Sequence, residues 1–272
     1  MPAPRKTGDR TRRLFENREL YFKATSRYGH LLRELESQHL HNAPCIVAHS
    51  YRALIRTVGF FKYNVKTPVL LRGQTTCFGM DLQPAFALGT EPVLQHYGID
   101  TRWLDAVDSV PHALFFATHK PIEVAPGQWT YIPSTEEYGY VFLIELGKLT
   151  SVQRAKKFVA GYSRGALALD VADLRALKPS IALRPHAQHG LLIRDRSGDP
   201  DLWNRLVARI AVPATIARRW ISAVALEPQE LFPDPKWDRV YDQLLSDTMK
   251  ALLASESNAG RNWGTITRYA FH

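Results

Sequence analysis

Three short polar segments of the chain hold residue types that bind anions, and the first is Leu70-Leu71-Arg72-Gly73-Gln74. Its arginine follows an apolar run, where a guanidinium can bind a phosphate through two parallel hydrogen bonds. The glycine that follows lets the backbone approach a neighbour closely. Arg72 is therefore predicted either to bind a phosphate or to pair with a carboxylate such as that of Asp105.

The second and third segments are QHYGIDTRWLD at 95–105 and RPHAQHG at 184–190. Polar and aromatic side chains crowded onto a connection between two elements are typical of a binding loop. The alternative for 95–105 is a well-satisfied polar turn with His96 as an ordinary core histidine. The segment at 184–190 leads into a predicted strand, so both segments are predicted to lie at element ends.

Hydrophobic periodicity predicts the elements that position these segments. An amphipathic helix is predicted over 13–38 and a strand begins at 69–71. A helix over 108–119 has Asp108 or Ser109 as its cap and Pro111 in its first turn. The apolar run at 138–146 predicts a central strand, because it is apolar on both faces.

The remaining elements are predicted from shorter hydrophobic patterns and from turn residues. Helices are predicted over 46–61, 91–97 and 234–253, a long turn region over 126–133, and a loop over 161–165. Strands are predicted over 181–183, 190–194, and either 210–212 or 216–220.

Taken together, the three segments resemble the FRG domain, a family named for a Phe-Arg-Gly triplet. In this chain the triplet is Leu71-Arg72-Gly73, followed by Gln74. The family's next motifs match Gln-His-Tyr-Gly at 95–98, Thr-Arg-Trp-Leu-Asp at 101–105 and Ala-Leu-Phe-Phe-Ala at 113–117. Its later motifs match Arg184 with 188–190 and Phe-Pro-Asp at 232–234, so the resemblance spans about 60–245.

The resemblance implies an α+β fold with an ADP-ribosyltransferase-like split β core and an N-terminal helical extension. The implied organisation is a basic arm and helical extension over 1–60, an FRG domain over 61–255 and a tail over 256–272. It also implies a bacterial toxin or phage-defence effector that uses NAD as a substrate. The implied partners are an acceptor macromolecule, RNA or DNA among the candidates, and an antitoxin or other regulatory protein.

The resemblance further implies roles for single residues. Arg72, with Gly73 and Gln74, would hold a phosphate or ribose of NAD. His96 and Tyr97 would stack on the nicotinamide or base, because aromatic rings give large, flat contacts. The remaining two candidates for contacts to the ribose or second phosphate are Thr101 and Arg102.

Cleavage of a glycosidic bond passes through a cation-like state that a carboxylate stabilises. The implied catalytic set is Arg72, Asp105 and Gln188, and Gln188 stands where a transferase commonly has glutamate. Either Asp105 or Glu145 then supplies the missing carboxylate, or the domain is a non-catalytic nucleotide or nucleic-acid binding module. A third hypothesis is a scaffold in a multi-protein defence complex.

Composition limits these hypotheses. Among 272 residues, 35 Lys+Arg against 26 Asp+Glu leave a net charge of +9, which favours anionic partners, although basic clusters are often only solvated surface. No stretch approaches a membrane span, and the basic N-terminus lacks a secretory signal, which predicts a cytoplasmic protein. The two cysteines are predicted to be reduced and structural. Histidine pairs at 39/41 and 186/189 lack the context of a zinc site, so no metal is expected.

Overall fold

The computed structural model describes residues 45–64, 68–75, 96–97, 103–147, 150–154, 157–164, 169–177, 182–195, 205–247, 249 and 268–269. These residues form seven helices and two sheets, which confirms an α+β architecture. The predicted helix over 13–38 lies outside the described residues, as do Thr101, Arg102 and all but the last two residues of the predicted helix over 91–97.

The strands are β1 (Cys45–Val47), β2 (Val69–Gln74), β3 (Leu104–Val107), β4 (His119–Ala125), β5 (Gln128–Pro133), β6 (Tyr138–Glu145), β7 (Thr150–Arg154), β8 (Lys157–Arg164), β9 (Leu169–Asp173), β10 (Gly190–Asp195), β11 (Leu206–Pro213) and β12 (Arg268–Tyr269). The helices are α1 (Tyr51–Asn64), α2 (Val110–Thr118), α3 (Leu174–Leu177), α4 (Leu183–Ala187), α5 (Ala214–Ala223), α6 (Pro228–Leu231) and α7 (Arg239–Leu244).

A nine-stranded sheet forms the centre of the fold, in the order β1-β11-β6-β2-β3-β10-β9-β8-β7. The predicted central strand is confirmed, since β6 lies between β11 and β2 with its first seven residues buried. Val141 and Leu143 enter one hydrophobic core, and Phe142 and Ile144 enter another on the opposite face. The run is apolar without alternation because both faces of the strand are covered.

Two glycines let helix α2 lie directly on the sheet. A Cβ added at Gly73 in β2 would overlap the carbonyl oxygen of Ala113, and one at Gly139 in β6 would overlap that of Ala117. The close approach that Gly73 permits is therefore first of all that of α2. Helix α2 itself follows the prediction, with Ser109 at its N-cap and a proline in its first turn.

Several predicted elements are wrong in detail. The predicted helix over 46–61 is split, because residues 45–47 form a parallel strand beside 209–211 of β11 before α1 begins. Residues 183–187 form helix α4 rather than part of a strand, and the amide of Arg184 in its first turn donates to a carboxylate oxygen of Asp238 at 2.9 Å. The predicted loop over 161–165 falls largely within β8, which pairs with β7 and β9.

Other differences concern element type and length. The turn region over 126–133 is a β4–β5 hairpin that turns at Gly127, whose φ of +71° suits glycine. Of the two alternatives near 210–220, β11 is the strand and 214–223 is helix α5. Within the predicted helix over 234–253, α7 begins at Arg239, after its cap Asp238.

The smaller sheet has the order β12-β5-β4. The predicted boundary between the helical extension and the FRG domain, at residue 60, falls inside α1. In the part of the chain that the structure describes, no helix has the length and apolar character needed to cross a membrane.

Candidate functional site

A cavity of about 620 Å³ lies between residues of the two sheets. Pockets for small molecules and cofactors commonly have volumes of about 300–1,000 Å³. Its polar lining includes Arg72, Gln74, His96, Asp105, His119, Lys120 and Gln188. The structure thus brings together the predicted site residues Arg72, Gly73, Gln74, His96, Asp105 and Gln188, which are far apart in sequence.

Arg72 joins the two strands under the cavity. It lies in β2, and its Nη1 donates a hydrogen bond to the main-chain oxygen of Asp105 in β3 at 2.7 Å. Leu71 is opposite Val107 in this antiparallel pair, which sets the register of Arg72 against β3. This hydrogen bond fixes the guanidinium at the cavity wall. Asp105 is the predicted partner of Arg72, but the hydrogen bond is to its main-chain oxygen and not to its carboxylate.

The ring of His96 is held by the side-chain amide of Gln188. Gln188 Nε2 donates to the carbonyl oxygen of Leu231 at 3.0 Å, so its Oε1 is the atom that faces His96 Nδ1 at 2.7 Å. An amide oxygen can only accept, and Nδ1 therefore carries the hydrogen. Burial lowers the pKa of His96 below its usual 6.5. The ring is neutral at neutral pH, and its Nε2 is an acceptor.

The acceptor nitrogen of His96 faces a second acceptor. Nε2 lies 3.7 Å from Asp105 Oδ1, beyond hydrogen-bonding distance. Both atoms are buried and have no hydrogen-bond partner among the described residues. The His96 side chain is only 5% exposed, whereas that of Asp105 is 49% exposed at the cavity. Two buried acceptors side by side are costly unless something donates to them.

Space for the imidazole depends on a glycine. A Cβ added at Gly190 would lie 2.6 Å from both Cε1 and Nε2 of His96. Real contacts are longer, so any side chain at this position would displace the ring. Sequence reasoning placed Gly190 in a family motif without a role, and nothing in the local pattern shows which ring it accommodates.

Tyr97 does not line the cavity, in contrast to its predicted stacking role. Its ring is fully buried, and its hydroxyl donates to Asp238 Oδ2 at 2.7 Å. Burial and this neighbouring carboxylate raise the pKa of Tyr97. A hydrophobic cluster with Trp103 and Tyr241 encloses the ring, so Tyr97 anchors the turn that carries His96.

Arg184 supports the same turn from a cage of aromatic rings. The residue is fully buried, and its guanidinium carbon lies 4.2 Å from the ring centre of Tyr241, 4.7 Å from that of Tyr97 and 5.0 Å from that of Tyr269. Its Nη1 donates to the carbonyl oxygen of His96 at 2.8 Å. Cation–π contacts of this kind are strongest when desolvated. Arg184 therefore fixes the backbone at His96.

Aromatic side chains form a second part of the cavity lining, the aromatic wall. The ring centre of Phe232 lies 4.7 Å from that of Tyr131 and 4.3 Å from that of Tyr269, and the two tyrosine rings stack on each other at 5.8 Å. Phe116 completes the lining of this wall. Burial raises the pKa of both tyrosines, so their hydroxyls are neutral. Sequence reasoning listed Phe116 and Phe232 within family motifs without giving either a role. It missed Tyr131 and Tyr269, which lie on separate strands of the smaller sheet.

The structure distinguishes the candidate carboxylates. Glu145 is opposite Val69 at the start of β2, three residues before Arg72, and it does not line the cavity. Among the described residues, Asp105 is the only carboxylate in the lining. Gln188 uses both ends of its amide on His96 and Leu231, which indicates that it positions His96.

In the described ranges, no three or more His, Cys, Asp or Glu side chains come together in a way that could hold a metal ion. In comparisons with models of known protein families, with curated proteins and with solved structures, the chain matches none.

Proposed function

We propose that the protein is an NAD-dependent ADP-ribosyltransferase of the FRG type, with this cavity as its active site. The observation that carries the proposal is the meeting of Arg72, His96, Asp105 and Gln188 in one cavity that an aromatic wall also lines. The order of these residues in the sequence is that of the FRG motifs. A likeness of the two sheets to a split β core is part of the same proposal.

The reaction breaks the bond between C1′ of the nicotinamide ribose and the ring nitrogen, and the bonding electrons leave with nicotinamide. A nucleophile on the acceptor forms the new bond to C1′ and loses a proton. Positive charge develops on the ribose in the transition state, where a carboxylate stabilises it. Asp105 supplies that carboxylate, Arg72 binds a phosphate, and the aromatic wall packs against the flat nicotinamide ring.

The acceptor is proposed to be an anionic macromolecule, RNA or DNA, because the chain carries a net charge of +9. In this proposal the protein acts in the cytoplasm as a toxin or phage-defence effector, and an antitoxin or other regulatory protein restrains it. The FRG resemblance is the basis for this setting.

Release of nicotinamide from NAD tests the activity directly. Wild type, Arg72→Ala and Asp105→Asn are compared by chromatography, with and without RNA, DNA or cell lysate as the source of an acceptor. Arg52→Ala and Glu145→Gln are matched controls, since Arg52 is exposed on α1 and Glu145 lies away from the cavity. The expected result is product from wild type and both controls, and loss in both cavity variants. Equal release by all five proteins would contradict the proposal.

A second candidate function is nucleotide binding without turnover. It is favoured by Gln188, which stands where a transferase commonly has glutamate and has both ends of its amide engaged by protein groups. Saturable binding of NAD that Arg72→Ala removes, with no nicotinamide from any acceptor mixture, would establish this alternative and overturn the transferase.

A further inference from the structure

We propose that His96 Nε2 and Asp105 Oδ1 act together as a clamp that accepts hydrogen bonds from the two neighbouring hydroxyl groups of a ribose. The cavity would then select ribonucleotides over deoxyribonucleotides. This inference rests on the proposed function in assigning the ligand of the same site, but it does not require that the ligand be turned over.

Neither His96 Nε2 nor Asp105 Oδ1 can donate a hydrogen bond to the other. Gln188 places the hydrogen of His96 on Nδ1, so the lone pair of Nε2 faces an oxygen of the half-exposed Asp105 side chain across 3.7 Å. Both atoms belong to residues that line the cavity. A ligand that enters the cavity with hydrogen-bond donors removes the cost of the two unpaired acceptors.

The donor that fits these two acceptors is a pair of neighbouring hydroxyl groups. Two acceptors side by side need two hydrogens, and hydroxyl groups on adjacent carbons of a ribose offer one each. Carboxylates bind ribose hydroxyls in this way in dinucleotide-binding folds. The cavity lining also contains the rings of Phe232, Tyr131 and Tyr269, against which the base attached to the ribose would pack. An exocyclic amino group also offers two hydrogens, and it is the competing donor in the test.

Residues around His96 fix the position of the clamp. Two hydrogen bonds place the imidazole, that of Nδ1 with the Gln188 amide and that of the Arg184 guanidinium with the backbone oxygen of His96. The ring also needs the space that Gly190 leaves by having no side chain. Gln188→Glu presents a charged acceptor to Nδ1 in nearly the same shape. It raises the pKa of His96 and favours the doubly protonated ring, whose Nε2 then donates to Asp105. Gln188 is thus a positioning residue for the clamp.

Calorimetric binding to the full chain tests the clamp with defined probes. The probes are AMP, 2′-deoxy-AMP and IMP, together with nicotinamide mononucleotide and its 2′-deoxy analogue for the nicotinamide ribose. In at least one of the two pairs of ribo and 2′-deoxy nucleotides, wild type is expected to bind the ribo form about tenfold or more tightly. The reason is that the deoxy form leaves a buried acceptor without a hydrogen bond. IMP, which lacks the amino group of AMP, is expected to bind as AMP does.

The variants sharpen this result. In Gln188→Glu the ratio of ribo to deoxy affinity is expected to fall toward one. Asp105→Asn, at a half-exposed side chain, gives the same reading if Gln188→Glu fails to fold. Equal affinity of wild type for ribo and deoxy forms, no binding of either, or a deficit confined to IMP would each overturn the clamp. Nicotinamide release without any ribose preference would refute the clamp alone, and ribose preference without release would refute the transferase alone.

Discussion

Two polar clusters lie near the ends of strands β3 and β10, and their hydrogen bonding differs. The cavity cluster consists of His96, Asp105 and Gln188. The surface cluster consists of Asp108, Asp173, Arg175 and His189. Neighbouring residues of the chain supply both, since Asp105 precedes Asp108 by three positions and Gln188 is followed by His189.

In the surface cluster each carboxylate has a donor. Arg175 Nη2 lies 2.9 Å from Asp108 Oδ2 and 2.9 Å from Asp173 Oδ2, and His189 Nδ1 lies 3.0 Å from Asp108 Oδ1. Hydrogen bonds from Arg175 and His189 lower the pKa of Asp108 against the effect of its burial. In the cavity cluster, two acceptors face each other at 3.7 Å. The comparison teaches that satisfied charges join elements, whereas unsatisfied buried acceptors in a cavity indicate a ligand.

The largest expected effect separates the clusters by activity. If the proposed transfer takes place, Asp105→Asn is expected to lower the rate of nicotinamide release by roughly 100-fold or more, because it removes the negative charge that stabilises the cation in that reaction. Asp108→Asn removes an equivalent charge from the surface cluster, and the rate is expected to change less than about threefold, since no reacting group lies there. Rates at saturating NAD check both. Similar losses in the two variants would break the comparison.

The next effect is steric. Gly190→Ala is expected to lower the free energy of unfolding by about 1–3 kcal/mol, because its methyl group overlaps the His96 ring. Gly59→Ala is the control: nothing lies within 4 Å of its added Cβ, and alanine in a helix stabilises by about 0.5–1 kcal/mol over glycine. Urea denaturation measures both changes. A neutral Gly190→Ala would show that the ring is not confined.

A smaller effect on stability, without one on ligand binding, is expected at the surface cluster. Arg175→Gln removes the donor shared by Asp108 and Asp173, and its partly exposed position limits the loss to about 1–2 kcal/mol. Added salt should reduce the difference from wild type. The affinity for AMP is expected to stay unchanged, and a tenfold loss of that affinity would show that the two clusters are coupled.

The smallest effect is a dependence of stability on pH. Burial, followed by the charge of His189, lowers the pKa of His112 to about 4, against an ordinary value of 6.5. The unfolded chain therefore takes up a proton that the folded chain does not, and stability falls as pH falls from about 6.5 toward 4. Burial of His96 and His119 acts in the same direction. Urea titrations at pH 7.5, 6 and 5 measure the slope, which His112→Gln should reduce.

Ligand binding at the clamp is also expected to weaken as pH falls. The groups that face His96 are Asp105, whose charge raises its pKa, and Arg184, whose charge lowers it, while burial has the largest effect. Ribonucleotide affinity is expected to be constant above pH 6.5 and to fall in acid as Nε2 becomes protonated. An affinity that rises on acidification would contradict an acceptor role for this atom.

The sequence predicts those elements and site residues that depend on neighbouring residues of the chain, and it does not predict those that depend on contacts between distant residues. β6 and α2 have continuous patterns with clear ends, and Arg72, Asp105 and Gln188 stand in motifs with fixed spacing. β1 could not be predicted, because three residues form a strand only through their pairing with β11. The prediction that Tyr97 stacks on a ligand is wrong, because the sequence shows an aromatic residue in a binding motif but does not show that its hydroxyl donates to Asp238.

The state of the His96 ring also depends on contacts between distant residues. Gln188 is 92 positions away, and its amide is oriented by Leu231. Motifs could therefore list part of the polar lining of the cavity, namely Arg72, Gln74, His96, Asp105 and Gln188. The facing of the two acceptors and the grouping of the aromatic residues required the structure.

The most direct test of the contrast between the clusters is the nitrogen resonances of the imidazole rings, followed by NMR during titration with ADP-ribose at neutral pH. In the free protein, His96 is expected to be neutral with its hydrogen on Nδ1, and ADP-ribose should shift its Nε2 as a hydrogen bond forms. His189, in the surface cluster, should remain unchanged. A protonated His96 in the free protein, or a ligand-induced shift at His189 with none at His96, would contradict the account.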